Sequence, residues 1–302
     1  MTAIASVPGN QPKMARSPII SLFGSTIRPE LWMRIYNSLS SNEIPFEMIF
    51  VGNNPPEFEM PENCHFIYSK TKPAQCFEIG ARYSTGDLIM HFGDDCVFSP
   101  HALDKLYEEF IKMNDEKAMV SCRFVFEGED LTDKHGYYWT DEKSSPRMPA
   151  GSLMKKRVWE KIGGIDKRFI ALYWDLDIAM RMYEIGGRLV FAKDAYVEEL
   201  TGREVLKRKF PILKNPLIYK VVAWGYHKIS KPKVPPARLF SQYGVSLDRP
   251  LLDSFWVGES LSEFYCEKEG RGKLSKKRLH TVEPFKEEHF LTVSQGPKGK
   301  WT

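Results

Sequence analysis

Two short stretches carry most of the acidic chemistry in this 302-residue chain. In the first, Asp94 and Asp95 stand side by side after Gly93 and the apolar run Leu88 to Phe92. That run, with Gly86-Asp87 in front of it, predicts a short buried strand. Ser99-Pro100 predicts a helix start, Ser at the N-cap and Pro at the first helical position. The two carboxylates then fall in a turn at the C-terminal end of a strand, where open α/β sheets bind ligands. Adjacent carboxylates repel each other and stay ionised most readily in water or beside a cation. Mg²⁺ or Mn²⁺ held by such a pair together with substrate phosphates is one chemistry that uses them. A solvated acidic turn is the other reading. In the second stretch Asp175 and Asp177 follow Trp174 at the start of a helix expected over Asp175 to Glu184. The helix dipole favours a carboxylate in that first turn. Asp177 and Arg181 are four apart and can pair along one face.

The elements that must position these groups alternate. Strands are expected at Pro18 to Phe23, Phe46 to Val51, Cys64 to Tyr68, Leu88 to Phe92 and Ala118 to Phe126. Between them, helices are expected from Pro29 through Leu39, over Ala74 to Tyr83, and over Pro100 to Met113. Alternation at this spacing implies βαβ units and a mainly parallel sheet flanked by helices. Glu127 to Pro149 is polar, holds Tyr137, Tyr138 and Trp139, and reads as a long loop or hairpin. A short strand at Ala150 to Met154 and a helix at Lys155 to Ile162 follow, the helix closed by Gly163-Gly164. Leu189 to Ala192 and Tyr196 to Leu200 are expected as the last strands of the domain.

Composition narrows the class. Apolar residues make up 42% and charged residues 27%, as in a globular domain, and a net charge of +4 is too small to argue for nucleic acid. The five cysteines are scattered, with no Cys-x-x-Cys, so neither a zinc site nor a disulfide framework is indicated. No apolar run reaches bilayer-spanning length. Residues 1–16 read as a disordered tail, 17–201 as the α/β domain and 202–302 as a basic extension. That last third holds 20 Lys and Arg against 10 Asp and Glu. It is a solvated charged surface or one that meets anionic membrane, glycan or nucleotide. The expected location is cytoplasmic, including the cytoplasmic face of a membrane touched peripherally by this basic third.

Gly86-Asp87-Leu-Ile-Met-His-Phe-Gly-Asp94-Asp95 is similar to the G-D-x-I-x-x-x-D-x-D segment of family 2 glycosyltransferases. Gly163-Gly164-Ile-Asp166-x-x-Phe169, with Trp174-Asp175-x-Asp177 and Arg181, resembles their G-G-F-D-x-x-F … E-D-x-D-L-x-x-R segment. The resemblance covers about Ser17 to Leu200. It implies a GT-A fold and hexosyl transfer, usually with inversion, from a nucleotide-diphosphate-sugar (a UDP-sugar is favoured) to a hydroxyl of a glycan or other acceptor. It implies Asp175 as the general base, and Asp94 and Asp95 as the pair at the diphosphate and its Mn²⁺ or Mg²⁺. It places Ser25, Asn53 and Trp174 among the residues that hold the nucleotide-sugar. Four positions depart from the family pattern. Gly93 stands for the first Asp of D-x-D, Gly52 for an Asp after the second strand, and Trp174 for a Glu. Glu198-Glu199 stands where a His is often found. Two other readings remain at this point: a degenerate, non-catalytic glycan- or nucleotide-binding protein of the same fold, and a sugar-phosphate nucleotidyltransferase.

Overall fold

The computed structural model describes residues 17–126, 129–130, 132, 151–167, 169, 174–200, 210–215, 217–218, 221–222, 279, 282–286 and 294–295. The tail at 1–16, the aromatics of the Glu127 to Pro149 loop and most of 202–302 lie outside them.

Strands form where apolar residues alternate or run. They are β1 (Ile20–Ser25), β2 (Phe46–Gly52), β3 (Cys64–Tyr68), β4 (Leu88–His91), β5 (Cys96–Phe98), β6 (Ala118–Phe126), β7 (Glu129–Asp130), β8 (Ser152–Lys155), β9 (Arg188–Glu199) and β10 (Ser294–Gln295). The helices are α1 (Trp32–Ser38), α2 (Pro73–Tyr83), α3 (Ala102–Met113), α4 (Lys156–Lys161) and α5 (Trp174–Glu184). All ten strands belong to one sheet, ordered β10-β3-β2-β1-β4-β8-β6-β9-β5, with β7 paired to β6. β3, β2, β1 and β4 are parallel neighbours, as are β6 and β9. Antiparallel β8 joins β4 to β6.

Two apolar cores sandwich this sheet, because successive strand side chains point to opposite faces. Ile20 and Leu22 of β1, with Met48 and Phe50 of β2, meet Trp32 and Ile35 of α1 and Leu103 and Leu106 of α3. Phe23, Ile49 and Val51 face the other way, onto Ile79 of α2, Trp159 of α4 and Ile178 of α5. The indole of Trp32 stacks on Phe50 with centroids 4.3 Å apart. Burial of such large apolar side chains, about 1.5–3 kcal/mol each, is what holds the helices to the sheet.

Three local expectations change. The segment after the Asp pair is strand β5, antiparallel to β9, and α3 begins only at Ala102. Ser99 is not an N-cap: its hydroxyl accepts from Tyr196 N at 3.0 Å. The first turn of α3 is capped from a distance instead, by Asn42 Oδ1 on Leu103 N at 2.8 Å. The two expected last strands are one, β9, whose pairing with β6 is irregular between Ser121 and Arg123. Residues far along the chain also return to this unit. β10 pairs with β3, Asp166 bridges to Pro284, and Phe285 is buried.

Candidate active site

The parallel strands β1, β2 and β4 end on one edge of the sheet, and the expected ligand-binding residues cluster there. Ser25 ends β1, opposite Val51. Gly52 ends β2, followed by exposed Asn53. A Cβ at Gly52 would lie 1.7 Å from the Thr26 carbonyl oxygen, so no side chain fits where the family pattern often has Asp. Asn54 ties the same turn, donating to Ile27 O at 3.0 Å.

Asp94 is the most heavily bonded carboxylate of this edge. Its Oδ2 accepts from Thr26 Oγ1 at 3.0 Å and from the backbone N–H of Ile27 and Arg28, both at 3.1 Å. Its Oδ1 accepts from Arg28 Nε at 2.9 Å and from Arg28 Nη2. Nη2 also donates to Asp95 Oδ2 at 2.9 Å. Burial opposes the charge on Arg28, but its bonds to Asp94 and Asp95 outweigh that and raise its pKa. Glu199 of β9, beside this group, is pushed toward its protonated form by burial first and then by Asp95. Nothing in the sequence pattern singled out Arg28, which lies 66 residues from Asp94. Its only signal was a place just after β1, on the turn that must face the Asp pair.

These donors bear on the divalent ion that the family resemblance implies. A carboxylate has about four lone-pair sites, and five donors already reach Asp94. Among the described residues no three His, Cys, Asp or Glu side chains are grouped to hold a metal. The pair as folded therefore does not fit an ion held by both carboxylates.

The second acidic stretch is positioned by a buried anchor that sequence reading missed. Gly163 and Gly164 turn the chain with φ of +91° and +61°, conformations open to glycine. Glu78 of α2 lies directly beneath and accepts from Ile165 N at 2.9 Å, Trp159 Nε1 at 3.1 Å and Arg82 Nε at 2.8 Å. Burial is the largest influence on Glu78 and raises its pKa against those bonds. Asp166 is buried, its carboxylate accepting from Glu283 N at 3.1 Å. Asp177 and Arg181 are both fully buried and paired at 2.9 Å, as their spacing predicted, and Arg181 Nη1 also reaches Ile162 O.

Asp175 is partly exposed and lines a small cleft with His91, Ser152 and Trp174. His91 ends β4, two residues before Gly93. Trp174 is 4% exposed, with its ring against His91 at 5.0 Å and Phe77 at 4.6 Å. That leaves little of its face for a sugar ring.

Residues 44–170 match the family model described as Glycosyl transferase family 2. No curated protein sequence matches significantly. Among solved structures the chain is similar to S. aureus TarS 1–349, at 11% identity over 62% of each chain with a TM-score of 0.48. It is also similar to GalNAc-T7, crystallised with UDP, GalNAc and Mn²⁺, at 12% identity over 62% of this chain and 44% of that one, with a TM-score of 0.48. Each alignment spans less than two thirds of the solved chain. Residues 44–170, which lie within the α/β unit described above, are thus similar to family 2 glycosyltransferases.

Proposed function

We propose that this chain transfers a sugar from a nucleotide-diphosphate-sugar, a UDP-sugar in the first instance, to a hydroxyl of a glycan or other acceptor, with inversion. The observation that carries the reading is the family match over residues 44–170. It includes the turn with Asp94 and Asp95, which lies at the strand-end edge of the sheet. Asp175 follows on a separate helix and faces the same cleft as His91.

Ser25 and Asn53 at the strand ends hold the nucleoside in this reading, and Asp95 faces the diphosphate. Asp175 takes the proton from the acceptor hydroxyl as that oxygen attacks the anomeric carbon and the nucleoside diphosphate leaves. Base and leaving group then lie on opposite sides of the sugar, which suits two separated acidic stretches. Trp174 contributes by packing the start of α5 and so aiming Asp175.

The test is release of nucleoside diphosphate from UDP-, GDP- and dTDP-sugars over an acceptor panel. Asp175→Asn should keep donor binding and lose about 10²–10⁴ of the transfer rate, the usual range for a general base. Full activity in that variant would remove Asp175 from the role. Donor binding with no turnover on any acceptor would favour the non-catalytic reading. Pyrophosphate release from a nucleoside triphosphate and a sugar 1-phosphate would favour the nucleotidyltransferase.

We also propose peripheral contact with an anionic membrane surface through the segment after residue 202. Six of the nine large apolar side chains exposed among the described residues lie between Phe210 and Val222, including Leu217 and Val221. Residues 203–233 carry nine Lys and Arg against one acidic residue. Exposed apolar groups interleaved with basic ones suit an interface of lipid and charge. Sedimentation with vesicles rich in phosphatidylglycerol, but not with phosphatidylcholine vesicles alone, is the expected result. Equal behaviour with both, or no sedimentation, would defeat it.

A further inference from the structure

Arg28 ties the turn after β1 to the turn after β4. Its Nε and Nη2 donate to Asp94 and Nη2 also to Asp95, while Nη1 has no hydrogen-bond partner among the described residues. The side chain is 35% exposed, against 5% for Asp94 and 25% for Asp95. One edge of the guanidinium is thus anchored, while the side chain as a whole stays partly exposed. Gly93 completes the arrangement. A Cβ there would lie 2.8 Å from Asp95 Oδ1, so the Asp that the family pattern places at this position has no room unless Asp95 moves.

We propose that Arg28 is the resident cation of this site. Its guanidinium takes the place between Asp94 and Asp95 that a divalent ion would otherwise take, and its Nη1 edge receives an oxygen of the donor's diphosphate. The diphosphate half rests on the transferase reading; the exclusion of a metal does not. Guanidinium suits the task because its planar fork binds one anion on one edge and a second on another. Asp94 is the positioning residue: three further donors hold it in place, so it stays when a ligand arrives. Asp95 has a single guanidinium bond and more room, and it is the exchangeable partner. A diphosphate that displaces Asp95 from Nη2 gains two donors.

The experiment has two arms. In the first, Mn²⁺ alone is titrated into the protein and followed by electron paramagnetic resonance. The wild type should take up no tightly bound ion, whereas Arg28→Ala, which frees both carboxylates, should take up one. Arg28→Lys should still exclude it. In the second, pyrophosphate binding is measured by calorimetry in EDTA. The wild type should bind, and Arg28→Ala should weaken binding about ten- to a hundredfold, as loss of charge-assisted hydrogen bonds implies. Arg28→Lys keeps the charge without the fork, so it separates loss of the cation from loss of fold. Tight Mn²⁺ uptake by the wild type, or pyrophosphate binding that needs metal, would overturn the proposal while leaving the transferase reading intact. If the metal arm behaves as expected but neither pyrophosphate nor any nucleoside diphosphate binds, the diphosphate half fails together with the transferase reading.

Discussion

The turn holding Asp94 and Asp95 and the first turn of α5 each carry two carboxylates, and each treats its pair unequally. Asp94 is buried and takes five donors, while Asp95 has one guanidinium contact and a partly exposed side chain. Asp177 is fully buried against Arg181, while Asp175, two residues earlier, lies partly exposed at the cleft. In both places one carboxylate is buried against an arginine, and the neighbouring carboxylate is more exposed. The regions differ in how the arginine is supplied. Arg181 comes from the next turn of the same helix, whereas Arg28 comes from a different strand end. The α5 pair is therefore a local device, and the Asp94 pair exists only once β1 and β4 are adjacent.

The comparison breaks first at Asp177. Asp177→Ala leaves Arg181 charged and buried without its partner, so a loss of about 3–5 kcal/mol in urea unfolding is expected. Asp175→Asn, two residues away, should change stability by less than about 1 kcal/mol. Similar losses in the two variants would show that the pair is not divided into scaffold and ligand-facing residues. A smaller contrast is expected at the other turn. Asp94→Asn should cost about 1–3 kcal/mol, because it weakens charge-assisted bonds to Arg28 while keeping most donors satisfied. Asp95→Asn should cost under about 1 kcal/mol. The reverse order would invert the assignment of positioning and exchangeable residue.

The smallest effect concerns His91, which lies between the two regions and contacts Trp174. Burial lowers its pKa to about 4 from the ordinary 6.5, so between those values the unfolded chain binds a proton that the folded chain refuses. Its contribution is fully present above the unfolded value and is lost as pH falls through that window. His91 is only partly buried, so the expected loss is about 1–2 kcal/mol rather than the full linkage amount. His91→Gln should flatten that part of the stability-pH curve, and an unchanged slope would exclude His91 as its source.

Much of this was legible along the chain. Strands Cys64–Tyr68 and Ala118–Phe126 follow the apolar runs to the residue, and α2 and α5 begin within one residue of expectation. The Asp177–Arg181 pair follows from helical spacing, because i and i+4 share a face. The Ser99-Pro100 signal misled, because β9 takes the Ser99 hydroxyl and Asn42 caps α3 from outside. Glu78 was invisible as an anchor: its partners Trp159 and Ile165 are more than eighty residues away.

The sequence by itself determined the order of strands and helices, the two acidic stretches and the family they resemble, since all of these rest on neighbours within a few positions. The tertiary structure decided which carboxylate of each pair is buried against an arginine. It also decided that Arg28 lies across Asp94 and Asp95, that Gly52 has no space for the side chain the family pattern would place there, and that one at Gly93 would have to displace the Asp95 carboxylate. Those outcomes depend on hydrogen bonds and close approaches between segments tens of residues apart. Only packing the strands side by side brings such groups within reach.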